Sequence, residues 1–113
     1  MTKRAITGQL NVAKDFSETP GPRYRKDGDF SGEEFLETRL EPAYIQAKLE
    51  DGVLLVDLDG TAGYATSFLE EAFGGLARKY PKEDVGMFLE FKSDDEAYLI
   101  DDIRTYMREA NDR

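Results

Sequence analysis

Apolar residues follow two different rhythms along this chain, with one uninterrupted run between them. Ile6, Leu10 and Val12 alternate with Thr7, Gln9 and Asn11, the period-2 pattern of a half-buried strand. Gly8 falls on the apolar face, which marks that strand as short or as a sheet edge. From 17 to 30 periodicity is lost: Pro20, Gly21, Pro22 and Gly28 break regular structure, and Arg23, Tyr24, Arg25 and Lys26 form a basic cluster. Ser31 and Glu34 then fit a capping box, and Leu36, Leu40, Ala43 and Ala47 share one face of the helix that follows. Pro42 predicts either a kink or a restart with proline in the first turn. Asp51-Gly52 ends that helix.

Residues 53–56, Val-Leu-Leu-Val, are the uninterrupted run. A strand covered on both faces by helices reads this way, so 53–58 is expected at the centre of a largely parallel sheet. A polar loop from Asp59 to Ala65 follows. Phe68, Leu69, Ala72, Phe73, Leu76, Ala77 and Tyr80 then recur at helical spacing. Gly74 and Gly75 inside that helix lower its propensity by roughly 1 kcal/mol each relative to Ala, which close approach of another backbone would explain. The last third repeats the unit: Val85, Met87, Leu89 and Phe91 alternate as a strand, Ser93 with Glu96 fits a second capping box, and Leu99, Ile103, Tyr106, Met107 and Ala110 line a final helix. The predicted order is β-α-β-α-β-α, an α/β fold with helices packed on a mainly parallel central sheet.

Length and composition narrow the chemistry. The 113 residues make one domain, 1–113, large enough for its own core. Cysteine and histidine are both absent, so disulfides, thiolate sites and the commonest general base are excluded. A net charge of −9 disfavours nucleic acid and anionic membrane as partners. No apolar run approaches a membrane span and the first residues lack a signal-peptide core, so the expected location is the cytoplasm.

Two resemblances bear on function. Asp57-Leu-Asp-Gly-Thr61 after the apolar strand fits the first motif of the haloacid dehalogenase-like phosphatases. That resemblance implies Asp57 as nucleophile, Asp59 as general acid/base and magnesium beside them. The family's remaining acidic pair and its Lys have only Asp94, Asp95 and Lys92 as stand-ins, and Asp59-Gly60 is also a favoured turn.

A second resemblance covers nearly the whole chain and rests on Ser31-Gly-Glu-Glu34, Val56-Asp-Leu-Asp-Gly60, Gly63-Tyr64 and the run Thr66-Ser-Phe-Leu-Glu-Glu-Ala-Phe-Gly-Gly-Leu76. Together they resemble the bacterial STAS-like domain of unknown function, related in fold to the STAS anti-sigma factor antagonists. In the antagonists a kinase-like regulator phosphorylates a Ser at the start of the helix after the central strand. Ser67 matches that position, beside Thr66, although Ala65 and Phe68 replace the family's flanking residues and Glu70-Glu71 lie one turn on. Ser67 with Glu70 equally fits a helix cap.

The resemblance implies a non-catalytic regulatory module that binds another protein and uses no cofactor. Its expected contact residues are Asp59, Gly60, Thr61, Tyr64, Thr66 and Ser67, together with Arg23 and Arg25 if the long loop folds over the helix start to bind an anion there. A magnesium-dependent phosphatase or phosphotransferase using Asp57 and Asp59 is the alternative. An accessory subunit stable only with its partner is a third option.

Overall fold

A computed structural model describes residues 4–111. Strand β2, Val53–Asp57, is the middle of a three-stranded sheet, flanked by β1, Ile6–Asn11, and β3, Leu89–Lys92. Both pairings are parallel. Leu10, Val56 and Phe91 stand in one row across the sheet, and Gln9, Leu55 and Glu90 in the next. Because side chains alternate along a strand, the first row and the paired Leu54 and Leu89 face one side. Leu10, Leu54, Val56 and Leu89 join the hydrophobic core there.

The opposite face departs from expectation. Gln9 and Lys92 are exposed, and Leu55 and Glu90 are only half-buried. Val53 is buried at the strand's start, but helices do not cover β2 on both sides as its unbroken apolar run predicts. The wholly apolar sequence reflects a core face plus an aliphatic, partly wet outer face.

A one-turn helix α1, Val12–Asp15, continues directly from β1 and is capped by Asn11, whose side chain accepts the N–H of Lys14. After the irregular segment, α2 runs over 32–49. The Ser31 hydroxyl accepts the N–H of Glu34 at 3.0 Å, so the first cap forms as predicted. Within α2, Leu36–Leu40 is wound as a π-helix, and the α-helical turn restarts at Glu41 with Pro42 in its first turn. A proline donates no N–H and its ring crowds the preceding turn. Wider winding just before Pro42 accommodates both, and the helix restarts there. Helix α3, 66–79, also has a π-helical stretch, Glu70–Gly74.

The two wide stretches belong to helices in close contact. A Cβ on Gly32 would lie 2.6 Å from the carbonyl oxygen of Phe68, and one on Gly75 would lie 2.8 Å from the Leu36 side chain. The close backbone approach expected at Gly74 and Gly75 is thus found at Gly32 instead. Gly75 makes room for a leucine, and Gly74 for the carboxylate of Glu70.

Two further expectations are corrected. Val85 and Met87 lie in helix α4, Lys82–Phe88, and only Leu89 and Phe91 of that alternating set are in β3. Val85 and Phe88, three apart, are the buried positions while Met87 is 46% exposed, so the helical period decides this segment. Ser93 donates to the carbonyl of Glu96 at 2.8 Å and accepts its N–H at 3.3 Å. It forms a turn before the last helix, α5 (Tyr98–Arg108), whose cap is Ala97. Leu99, Ile103 and Met107 are buried as predicted.

Candidate functional site

Parallel sheets gather loops at the carboxyl ends of their strands, where ligands most often bind. Here that end is a network of charges spanning two loops. The Asp57 carboxylate accepts the N–H of Asp59 at 3.0 Å. Asp59 turns to the other loop: its carboxylate accepts the N–H groups of Asp94 and Asp95, each at 2.9 Å, and the Lys92 ammonium at 2.9 Å. Lys92 also lies 3.0 Å from Asp94 and 4.0 Å from Asp57. Gly60 donates its N–H to Asp95 at 3.3 Å. The β2–α3 loop is therefore fastened to the β3–α5 loop chiefly by one side chain, Asp59.

Electrostatics follow from this geometry. Hydrogen bonds from the backbone of Asp95 and Asp94, then from Lys92, lower the Asp59 pKa to about 2. Lys92 is held charged well above its usual range by Asp59 and then Asp94. Burial raises the Tyr64 hydroxyl, and that hydroxyl donates to the carbonyl of Leu58 at 2.8 Å. Tyr64 thus braces the loop from inside, with its ring against Phe68 at 5.9 Å. Gly60 and Gly63 have φ of 98° and 141°, conformations that L side chains rarely adopt. Thr61 is half-buried between them.

The start of α3 differs from the predicted cap. Its N-cap is Ala65, with no side-chain hydrogen bond capping the helix. The chain enters the helix two residues before Ser67, so Thr66 and Ser67 occupy the first turn. Thr66 is exposed and Ser67 half-buried. Glu70 is engaged elsewhere: it accepts from Arg78 at 2.7 Å and from Arg23. Burial pushes the Glu70 carboxyl up, but the bonds from Arg78 and Arg23 outweigh it and hold the group below its ordinary range. Glu71 lies 3.4 Å from Arg23 and 3.7 Å from Arg78.

The long segment does fold over α3, but not as an open anion receptor. Arg23 is held by the carboxylates of α3, whereas Arg25 pairs with Glu37 on α2. The segment is pinned along its length: Gly32 donates to the Pro22 carbonyl and Glu33 to that of Arg23, at 2.9 and 3.0 Å, and Ala62 of the β2–α3 loop donates to Glu18 at 2.8 Å. Phe16 stacks edge-on against Phe30 and Phe35 beneath it. Of the predicted contact residues, Asp59, Gly60, Thr61, Tyr64, Thr66 and Ser67 lie in one continuous stretch. Arg23 reaches its rim, whereas Arg25 turns its side chain away to Glu37 on α2.

Two contributors escape the sequence pattern. Lys92, read from the sequence only as a stand-in for a phosphatase lysine, instead closes the charge network from β3. Arg78 shares Glu70 with Arg23 through helical spacing two turns apart, a signal hidden among many charged residues. Among the described residues no group of three or more acids is arranged to hold a metal ion.

The comparisons with known proteins agree with this architecture. A family model described as STAS-like domain of unknown function (DUF4325) matches residues 31–99, from the cap of α2 into α5. No curated protein and no solved structure matches the chain. Over most of its length, then, including α2, the β2–α3 loop and α3, this chain belongs to the family of STAS-like domains of unknown function.

Proposed function

We propose that this domain is a non-catalytic interaction module whose contact surface is the β2–α3 loop and the first turn of α3, with Ser67 as a phosphorylation switch. One observation carries the reading: Thr66 and Ser67 stand in the first turn of α3 while Ala65 caps it, so neither hydroxyl is committed to holding the helix start. A phosphate there meets the positive end of the helix. The carboxylates one turn on are partly neutralised by Arg23 and Arg78, which eases the repulsion that Glu70-Glu71 would otherwise exert. Added charge on a docking surface releases a partner by desolvation and repulsion.

The phosphatase reading loses ground at Asp59. A carboxyl with a pKa of about 2 carries almost no proton at neutral pH and makes a poor general acid. Its oxygens are also occupied by the neighbouring loop.

Capture of a partner from the source cell tests the proposal. Ser67→Ala should retain the partner and Ser67→Asp should lose it; equal capture by both overturns the switch. Incubation with magnesium and p-nitrophenyl phosphate tests the alternative, and turnover abolished by Asp57→Asn would replace the interaction reading.

A further inference from the structure

We propose that the free edge of β1 is a docking strip for an extended acidic peptide, which adds as a fourth strand and sets its carboxylates against Lys14 and Arg39. This surface is separate from the α3 site, and the inference does not depend on that reading. β1 ends the sheet order β1-β2-β3, so among the described residues one row of its backbone groups faces no other strand. Such a row is a template for strand addition. A groove of about 610 Å³ opens beside its carboxyl end, bounded by Gln9 and Leu10 of β1, Lys14 of α1, and Arg39, Pro42 and Ala43 of α2.

Two cations without a carboxylate partner share that groove. In a chain of net charge −9, Arg23, Arg25, Arg78 and Lys92 are all held by carboxylates. Among the described residues, Lys14 and Arg39 have no carboxylate within ion-pair distance, although both are exposed in one groove. Asp15 lines the groove too, and its carboxylate takes the N–H of Asn11 at 2.8 Å, so the open strip ends before Asn11. Thr38 is likewise engaged, donating to the Glu34 carbonyl at 2.7 Å. Two open cations beside an unpaired strand edge call for anionic groups on an extended backbone. Leu10, Pro42 and Ala43 offer an apolar floor for the side chains between them.

A nucleic acid fits less well, because it needs more cationic surface than two residues in a strongly acidic chain.

The test is selection of a random heptapeptide library on the immobilised full chain, followed by binding of the enriched peptide made synthetically. Enrichment of sequences with acidic residues at alternate positions is expected. The affinity should fall roughly tenfold or more in the Lys14→Glu/Arg39→Glu variant, and several-fold in the milder Arg39→Gln. It should also fall as salt rises from about 50 to about 500 mM. Hydrogen exchange on the complex should show new protection at the backbone of β1. Enrichment without acidic residues, undiminished binding to both variants, or binding that leaves β1 unprotected overturns the proposal. So does a peptide-free dimer already protected along β1.

Discussion

Asp59 and Asp94, 35 residues apart in sequence, are joined by a carboxylate-to-backbone hydrogen bond of 2.9 Å. Two acidic residues side by side ordinarily repel, yet here one accepts from the other's peptide N–H, and Lys92 at 2.9 Å from Asp59 offsets the charge. The contact ties the loop after the central strand to the loop after β3.

Asp59→Asn should therefore destabilise the fold by on the order of 1–2 kcal/mol, because charge-assisted bonds become neutral ones. Urea unfolding at neutral pH checks this. The pH dependence has a definite sign. The Asp59 pKa falls from 3.8 to about 2 on folding, so its contribution is present above the unfolded value and is lost as pH falls from about 4 towards 2. Asp59→Asn should flatten the stability curve in that window, and an unchanged acid limb would refute the assignment.

Glycine substitutions should have opposite signs at two helical positions. Gly32→Ala places a methyl 2.6 Å from the Phe68 carbonyl oxygen and should lower stability by about 1–3 kcal/mol, as overpacking does. Gly86, in α4, has nothing within 4 Å of an added Cβ. Gly86→Ala should raise stability by about 0.5–1 kcal/mol through helix propensity. Thermal melts of the two variants distinguish the cases.

Arg23→Ala removes the cation that fastens the long segment to α3. Glu70 retains Arg78 at 2.7 Å, so the global loss should stay near 1–2 kcal/mol. The effect should be concentrated locally, with faster hydrogen exchange at Gly21, Gly32 and Glu33, whose N–H groups bond within or to this segment. Uniform acceleration across β2 as well would mean that Arg23 supports the whole fold.

The parts legible in the sequence are those governed by one local rule. Val53–Asp57 is central as its apolar run implies, Ser31 caps α2, and the helical stripes of α3 and α5 are buried where their spacing puts them. Where two rules compete, the sequence misleads. Val85, Met87, Leu89 and Phe91 satisfy a period of two, but Val85 and Phe88 satisfy helical spacing better once Pro81 sets the helix start. Ser67 and Glu70 have the spacing of a capping box, yet the backbone turns helical at Thr66 and Arg23 takes the glutamate. The π-helical stretches leave no pattern that single residues reveal, because they arise from how α2 and α3 meet. At the site, the continuous stretch 59–67 is legible, while the roles of Lys92 and Arg78 depend on contacts between distant segments.

The parallel pairing of β1 with β2 also sets an order of folding. Ile6 meets Val53 only after the whole of the intervening chain has been closed into a loop, whereas β2, α3, α4 and β3 form a shorter unit with its own aromatic contact, Phe73 against Phe91 at 5.5 Å. Loop closure is unfavourable before its contacts form, so the unit from 53 to 92 should assemble first and β1 should zip on last. Kinetically, truncating Leu10 should then speed unfolding far more than it slows folding, while truncating Phe73 should slow folding itself.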